Sequence, residues 1–211
     1  VSAGQATVVA KRGAQSATAL ATVVVPGLTP VNAWVSMTSG TTRGLTGIWG
    51  ASPTNVFAVG NNGTILHFDG TNWTSSSSWT SQHLNGVWGT SDTNVLAVGI
   101  YGMILRSNGT TWTEMTSGTG VELFGVWGTS PTNIFAVGAS GTILRYDGTR
   151  WSAMSSGTTR SLHGVWGASA TDVYAFGQAG TLLHYDGARW TAVSNSSASY
   201  DFADAWGTSG T

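Results

Sequence analysis

Cysteine is absent from the 211 residues, which excludes a disulfide-stapled scaffold, a Cys-ligated metal site and thiol chemistry. Proline occurs only four times, too rarely for a collagenous or polyproline chain. Charge is sparse as well: 8% of residues are charged and the formal net charge is −1. No basic field is available to gather nucleic acid or an anionic lipid surface. Long apolar runs are missing; Val23-Val24-Val25 is among the longest, far short of the roughly 18 residues a membrane-spanning helix needs. Membrane insertion is therefore not expected. The lack of cysteine leaves the redox compartment open. Ser, Thr, Gly and Asn occupy the places Lys and Glu usually take, a composition common in secreted or envelope β-repeat proteins, so the expected location is extracellular or at the cell surface.

What the chain has instead is glycine, tryptophan and a repeat. It carries 30 Gly and 11 Trp. One Trp series falls at Trp34, Trp73, Trp112, Trp151 and Trp190, each 39 residues after the last. A second falls at Trp49, Trp88, Trp127, Trp166 and Trp206, spaced 39, 39, 39 and 40. Fixed periods of this length signal an array of supersecondary units. Each unit holds four short strand candidates: a (Leu-x-Gly-Val-Trp-Gly), b (Asn-Val-Phe-Ala-Val-Gly), c (Gly-Thr-Ile-Leu-x-Tyr) and d, which starts at the next Trp of the first series. All are rich in β-branched and aromatic residues and bounded by turn residues. Asp69-Gly70, Asp147-Gly148, Asp186-Gly187 and the variant Asn108-Gly109 supply the c-to-d turns. A tryptophan buries roughly 150–250 Å², so two per unit can supply much of a core between units.

Four-stranded units of this period predict an all-β β-propeller. The chain resembles bacterial propeller repeats with the pattern Trp-Gly-x-Ser-x-x-(Asn/Asp)-Val-(Phe/Tyr)-Ala-Val-Gly followed by Gly-Thr-Ile-Leu-x-Tyr-Asp-Gly-Thr-x-Trp, over about residues 34–211. WD and kelch repeats have a similar period. The closing Asp-Gly-Thr-x-Trp also resembles the Asp-box hairpin of sialidase-like propellers, with altered spacing; that hairpin is structural and implies no hydrolase. What the resemblance implies is a surface or secreted binding module, lectins among the possibilities.

Whole units begin at Leu45, Leu84, Leu123 and Leu162, giving four complete blades. A fifth is split or truncated: its strand a is expected at Phe202 to Gly207 and a d-type strand around Trp34-Val35-Ser36. The propeller is thus expected over 31–211. Residues 1–30 read as a β-hairpin, with strand candidates at Ala6 to Ala10 and Ala17 to Val25. It is either the end of an immunoglobulin-like domain followed by a Pro26 to Pro30 linker, or the closing strands of the fifth blade.

Comparing the units with one another separates two faces. The a-to-b connections, such as Ser130-Pro131-Thr132-Asn133, and the c-to-d turns barely vary and read as architecture. The opposite face, made by the d-to-a and b-to-c loops, varies, and loops on a rigid ring are where binding residues usually lie. It carries Arg43, Asn61, Asn62, Gln82, His83, Tyr101, Glu122, Ser140, Arg160, His163, Gln178, Tyr200 and Asp201. Trp79 stands outside both Trp series and either stacks on a sugar ring or fills a gap in its blade.

Catalysis is not expected. Acid–base chemistry needs ionisable groups held together, whereas no two of Glu114, Glu122, Asp201 and Asp204 form a pair that recurs from one repeat to the next. His67 and His184 take the c-strand position that Arg106 and Arg145 fill elsewhere, reading as solvated strand residues rather than metal ligands. No phosphate-cradling loop, nucleophile elbow or Cys/His cluster occurs. No cofactor and no metal are expected. The expected function is a non-enzymatic binding module for a glycan. The alternative is a structural or assembly module that contacts a protein partner or copies of itself.

Overall fold

The computed structural model describes residues 36–194, 200–205 and 207. Among the described residues, sixteen strands form four antiparallel sheets, each a meander of four in chain order. The first blade is β1 (Leu45–Ser52), β2 (Asn55–Gly60), β3 (Ile65–Phe68) and β4 (Trp73–Ser76). The second is β5 (Leu84–Ser91), β6 (Asn94–Gly99), β7 (Ile104–Ser107) and β8 (Trp112–Glu114). β9 (Leu123–Ser130), β10 (Asn133–Gly138), β11 (Ile143–Tyr146) and β12 (Trp151–Met154) make the third. β13 (Leu162–Ser169), β14 (Asp172–Gly177), β15 (Leu182–Tyr185) and β16 (Trp190–Ala192) make the fourth. Helical geometry among the described residues is limited to a three-residue 3₁₀ turn between the second and third strands of each blade.

The four expected strand types therefore map one to one onto the observed strands. The expected Asp-Gly turns close β3 to β4 and its counterparts. Asp69 Oδ1 accepts from the amides of Thr71 and Asn72 at 2.8 and 2.7 Å, and Gly70 sits at φ +96°, where a Cβ is disfavoured. Asn108 makes the same two bonds at 3.0 and 2.9 Å.

The core lies between blades, not within them, because each sheet has two faces to cover and its neighbours supply the cover. Leu96, Val98 and Ile104 of the second blade pack with Leu123, Ile134, Ala136 and Trp151 of the third. Phe135, Val137 and Ile143 of the third pack with Leu162, Val173, Leu183 and Trp190 of the fourth. Trp112, Trp151 and Trp190 are buried at these seams, and the strand-a residues Trp49, Trp88 and Trp127 pack against them while partly exposed. The first strands of successive blades, β1, β5, β9 and β13, lie side by side.

Beyond the fourth blade, Phe202 donates its amide to the Gly177 carbonyl at 2.9 Å. Gly207 lies under the Trp166 ring as Gly167 lies under that of Trp127. These two residues hold the register expected for strand a of a fifth blade, although no strand is formed over the described part of that stretch. The hairpin expected at residues 1–30 and the strand position at Trp34 lie outside the described residues.

Candidate functional site

An up-and-down meander places the b-to-c turns and the d-to-a loops at the same end of every sheet. That end is built on a repeated backbone. Each b-to-c turn is a 3₁₀ turn whose central residue is left-handed: Asn62 at φ 54°, Tyr101 at 57°, Ser140 at 55° and Ala179 at 51°. The d-to-a loop docks on it, with the Gly63 amide donating to Gln82 O at 2.7 Å and the Gly180 amide to Tyr200 O. In the four b-to-c turns the variation noted in sequence thus falls on side chains, while the backbone conformation repeats.

The predicted residues fall into three groups on this face. Arg43 and Arg160 are exposed and brace the turns, their Nη1 atoms donating to Asn62 O at 3.2 Å and Ala179 O at 3.1 Å. A second group ties neighbouring blades together. His83 Nδ1 lies 2.9 Å from Asn61 Oδ1, and His163 Nδ1 lies 3.2 Å from Phe202 O. Glu122 Oε1 accepts from Asn85 Nδ2 at 3.0 Å, and Asp201 Oδ1 accepts from the Ala179 amide at 2.8 Å. Gln82 takes part through its backbone, and Gln178 is exposed. The third group is aromatic: Trp79, Tyr101 and Tyr200 are 85%, 70% and 75% exposed, the large hydrophobic side chains left uncovered among the described residues.

Trp79 occupies a specific place in the repeat. The loop sequence Ser-Gly-Thr recurs as Ser39-Gly40-Thr41, Ser117-Gly118-Thr119 and Ser156-Gly157-Thr158, each 39 residues apart from the next place in the series; the blade-one-to-two loop reads Ser78-Trp79-Thr80 instead. The three glycines are left-handed, at φ 72°, 77° and 72°, and Trp79 adopts φ 56° in their place. The flanking bonds persist: the Thr80 amide reaches Ser78 Oγ at 3.5 Å, against 3.3 Å for Thr119 to Ser117 and for Thr158 to Ser156. A left-handed non-glycine residue costs about 1–2 kcal/mol. A Cβ at Gly40, Gly118 or Gly157 would meet no heavy atom within 4 Å, so the position faces open space and Trp79 fills no gap in its blade. Trp79 lines a shallow pocket of about 550 Å³ together with Arg43, Asn62, Leu66 and the serines of residues 75–78.

No protein-family model and no curated protein matches the chain. Among solved structures, it is similar to YCF48 from Cyanidioschyzon merolae, with a TM-score of 0.56 and 20% identity over 73% of this chain and 58% of that one. A structure of YCF48 bound to D1 peptide is similar at a TM-score of 0.52 and 15% identity, over 80% of this chain and 88% of that one. The likeness shows a β-propeller fold. The chain spans 58% of the length of the first of these structures.

One sequence expectation changes in the propeller. His67 and His184 are not solvated strand residues: both are half-buried, with Nε2 2.8 Å from Asn55 Oδ1 and from Asp172 Oδ1 respectively. Arg106 and Arg145 make the equivalent bond to Asn94 and Asn133 at 2.8 and 3.0 Å, so the position is a b-to-c strand tie. His184–Asp172 is the one contact between a basic and an acidic side chain within 4 Å among the described residues. Sequence reasoning singled out His163 but missed Thr46, Asn85 and Phe124 at the same inner strand position after the blade-opening Leu. There Thr46 Oγ1 donates to Leu84 O, and Asn85 Nδ2 donates to Leu123 O at 2.9 Å. Phe124 meets His163 edge-on at 5.7 Å. The only available signal was that this position varies while its neighbours do not.

Proposed function

We propose that this propeller is a non-enzymatic module that binds a protein partner across the face of b-to-c turns and d-to-a loops. The observation that carries the reading is the placement of Trp79, Tyr101 and Tyr200, all exposed and all at one end of the sheets. Two of them are held in left-handed backbone, a conformation that bulky residues adopt at a cost and that concentrates at functional positions. Aromatic side chains presented rigidly on loops are the usual anchors of protein interfaces. The similar YCF48 structure holds a peptide of D1, which supports a polypeptide as the kind of ligand this fold takes. The ionisable residues of the face support binding over catalysis, since His83, Glu122, His163 and Asp201 are each engaged in a bond between loops or blades.

Site-specific photo-cross-linking tests this. A benzophenone amino acid is placed at Tyr101 or, on the opposite end, at exposed Asp92, and irradiated in the native cells. Discrete protein adducts from position 101 and none from position 92 are expected. Equal adducts from both positions, or none from 101, would overturn the reading.

A further inference from the structure

We infer that the first blade carries a separate carbohydrate subsite in which a pyranose ring stacks on the exposed indole of Trp79. The indole is not placed there by packing. Three other loops put glycine at the same position in the same left-handed geometry, with open space around it. The substitution thus adopts a left-handed backbone while leaving the indole 85% exposed, which points to contact with a ligand as its use.

The surroundings select the ligand class. The pocket beside Trp79 is about 550 Å³ and is walled by Thr41, Arg43, Asn62, Ser75 and Ser77, with Leu66 as its apolar side chain besides the indole. An aliphatic side chain of a peptide would find no enclosed apolar wall to enter. A nucleic acid would find one cation in a chain of net charge −1, too little to hold a phosphate backbone. A pyranose matches both parts of the pocket. Its C–H face meets the electron-rich face of the indole, and its hydroxyl groups reach the hydroxyls, amide and guanidinium around the rim. Arg43 spends one Nη1 hydrogen on Asn62 O and keeps other donors, so both neutral and acidic sugars are admitted. A single shallow subsite of this kind binds at about millimolar strength.

This inference shares the exposure of Trp79 with the protein-partner reading but is tested apart from it, because adducts at position 101 and sugar contacts at Trp79 are read separately. The test is saturation-transfer NMR of the whole chain with the methyl glycosides of glucose, galactose, N-acetylglucosamine and glucuronic acid. At least one glycoside is expected to receive magnetisation through its ring C–H protons. Trp79→Gly, which restores the residue of the other loops, should reduce that signal by about tenfold or more at an unfolding midpoint no lower than that of the unaltered chain, whereas Tyr101→Ser should leave it intact. Loss on Arg43→Gln for glucuronide alone assigns an acidic sugar; indifference to that change assigns a neutral one. No transfer to any of the four, or transfer that survives Trp79→Gly, would overturn the inference.

Discussion

The six-membered ring of Trp49 lies on Gly89 of the next blade, so close that a Cβ on Gly89 would come within 2.8 Å of it and within 2.7 Å of the Asn94 carbonyl. The same stacking recurs as Trp88 on Gly128, Trp127 on Gly167 and Trp166 on Gly207. Each blade thus presents a tryptophan to a glycine that the following blade must keep bare. Gly89→Ala should destabilise the propeller by about 1–3 kcal/mol, the usual cost of overpacking a seam, and lower its urea midpoint.

Trp79 behaves in the opposite sense. Replacing a buried tryptophan such as Trp112 by alanine should cost about 3–5 kcal/mol, since it lies in the seam between the first and second blades. Trp79→Gly removes an equally large side chain yet relieves a left-handed φ, and the flexibility glycine adds to the unfolded chain offsets only about 0.5–1 kcal/mol of that relief. The expected urea midpoint is equal to or above that of the unaltered chain. A fall comparable to that of Trp112→Ala would show that the indole is a packing residue after all.

This contrast also marks what the sequence could and could not reveal. The two periodic Trp series made the blades legible because a core between repeats needs the same large residue at the same place in each. Trp79 was legible as an outsider to those series, but its meaning lay in a glycine series, Gly40, Gly118 and Gly157, whose shared backbone conformation is a property of folded loops rather than of residue type. The ties of His67 to Asn55 and of His184 to Asp172 were hidden for another reason. They join residues 12 apart through strand register, which a residue-by-residue comparison does not show. Likewise Asn85 is one variable polar residue in sequence and becomes a blade-to-blade bond only when β5 and β9 lie side by side.

The c-to-d turns predict how the propeller responds to acid. Bonds from the Arg150 and Thr149 amides hold the Asp147 carboxyl below its ordinary value of 3.8, and amide bonds do the same for Asp69 and Asp186. A carboxyl whose folded pKa is depressed stabilises the fold fully above the unfolded value and loses that contribution as pH falls through the folded one. Stability should therefore decline below about pH 4 as these three turns protonate. Asn108 makes the same pair of amide bonds without a titrating group. Replacing Asp69, Asp147 and Asp186 together by Asn should preserve the turns and flatten the difference between urea midpoints at pH 6 and pH 3. An unchanged difference would place the acid sensitivity elsewhere.

Tyr101 separates anchoring from folding most directly. It occupies the left-handed centre of a b-to-c turn where the first blade has Asn62, and 70% of its surface is exposed. Asparagine tolerates that conformation better than tyrosine, because its short polar side chain bonds locally to the backbone. Tyr101→Asn should then keep or slightly raise the unfolding midpoint. If the phenol ring is an anchor for a protein partner, the same change should weaken capture of the protein identified by cross-linking at least tenfold, as truncation of a central aromatic contact does. Undiminished capture with an unaltered fold would move the anchor to Tyr200 or to the edges of the face. A lower midpoint would instead assign the ring a packing role that its exposure does not suggest.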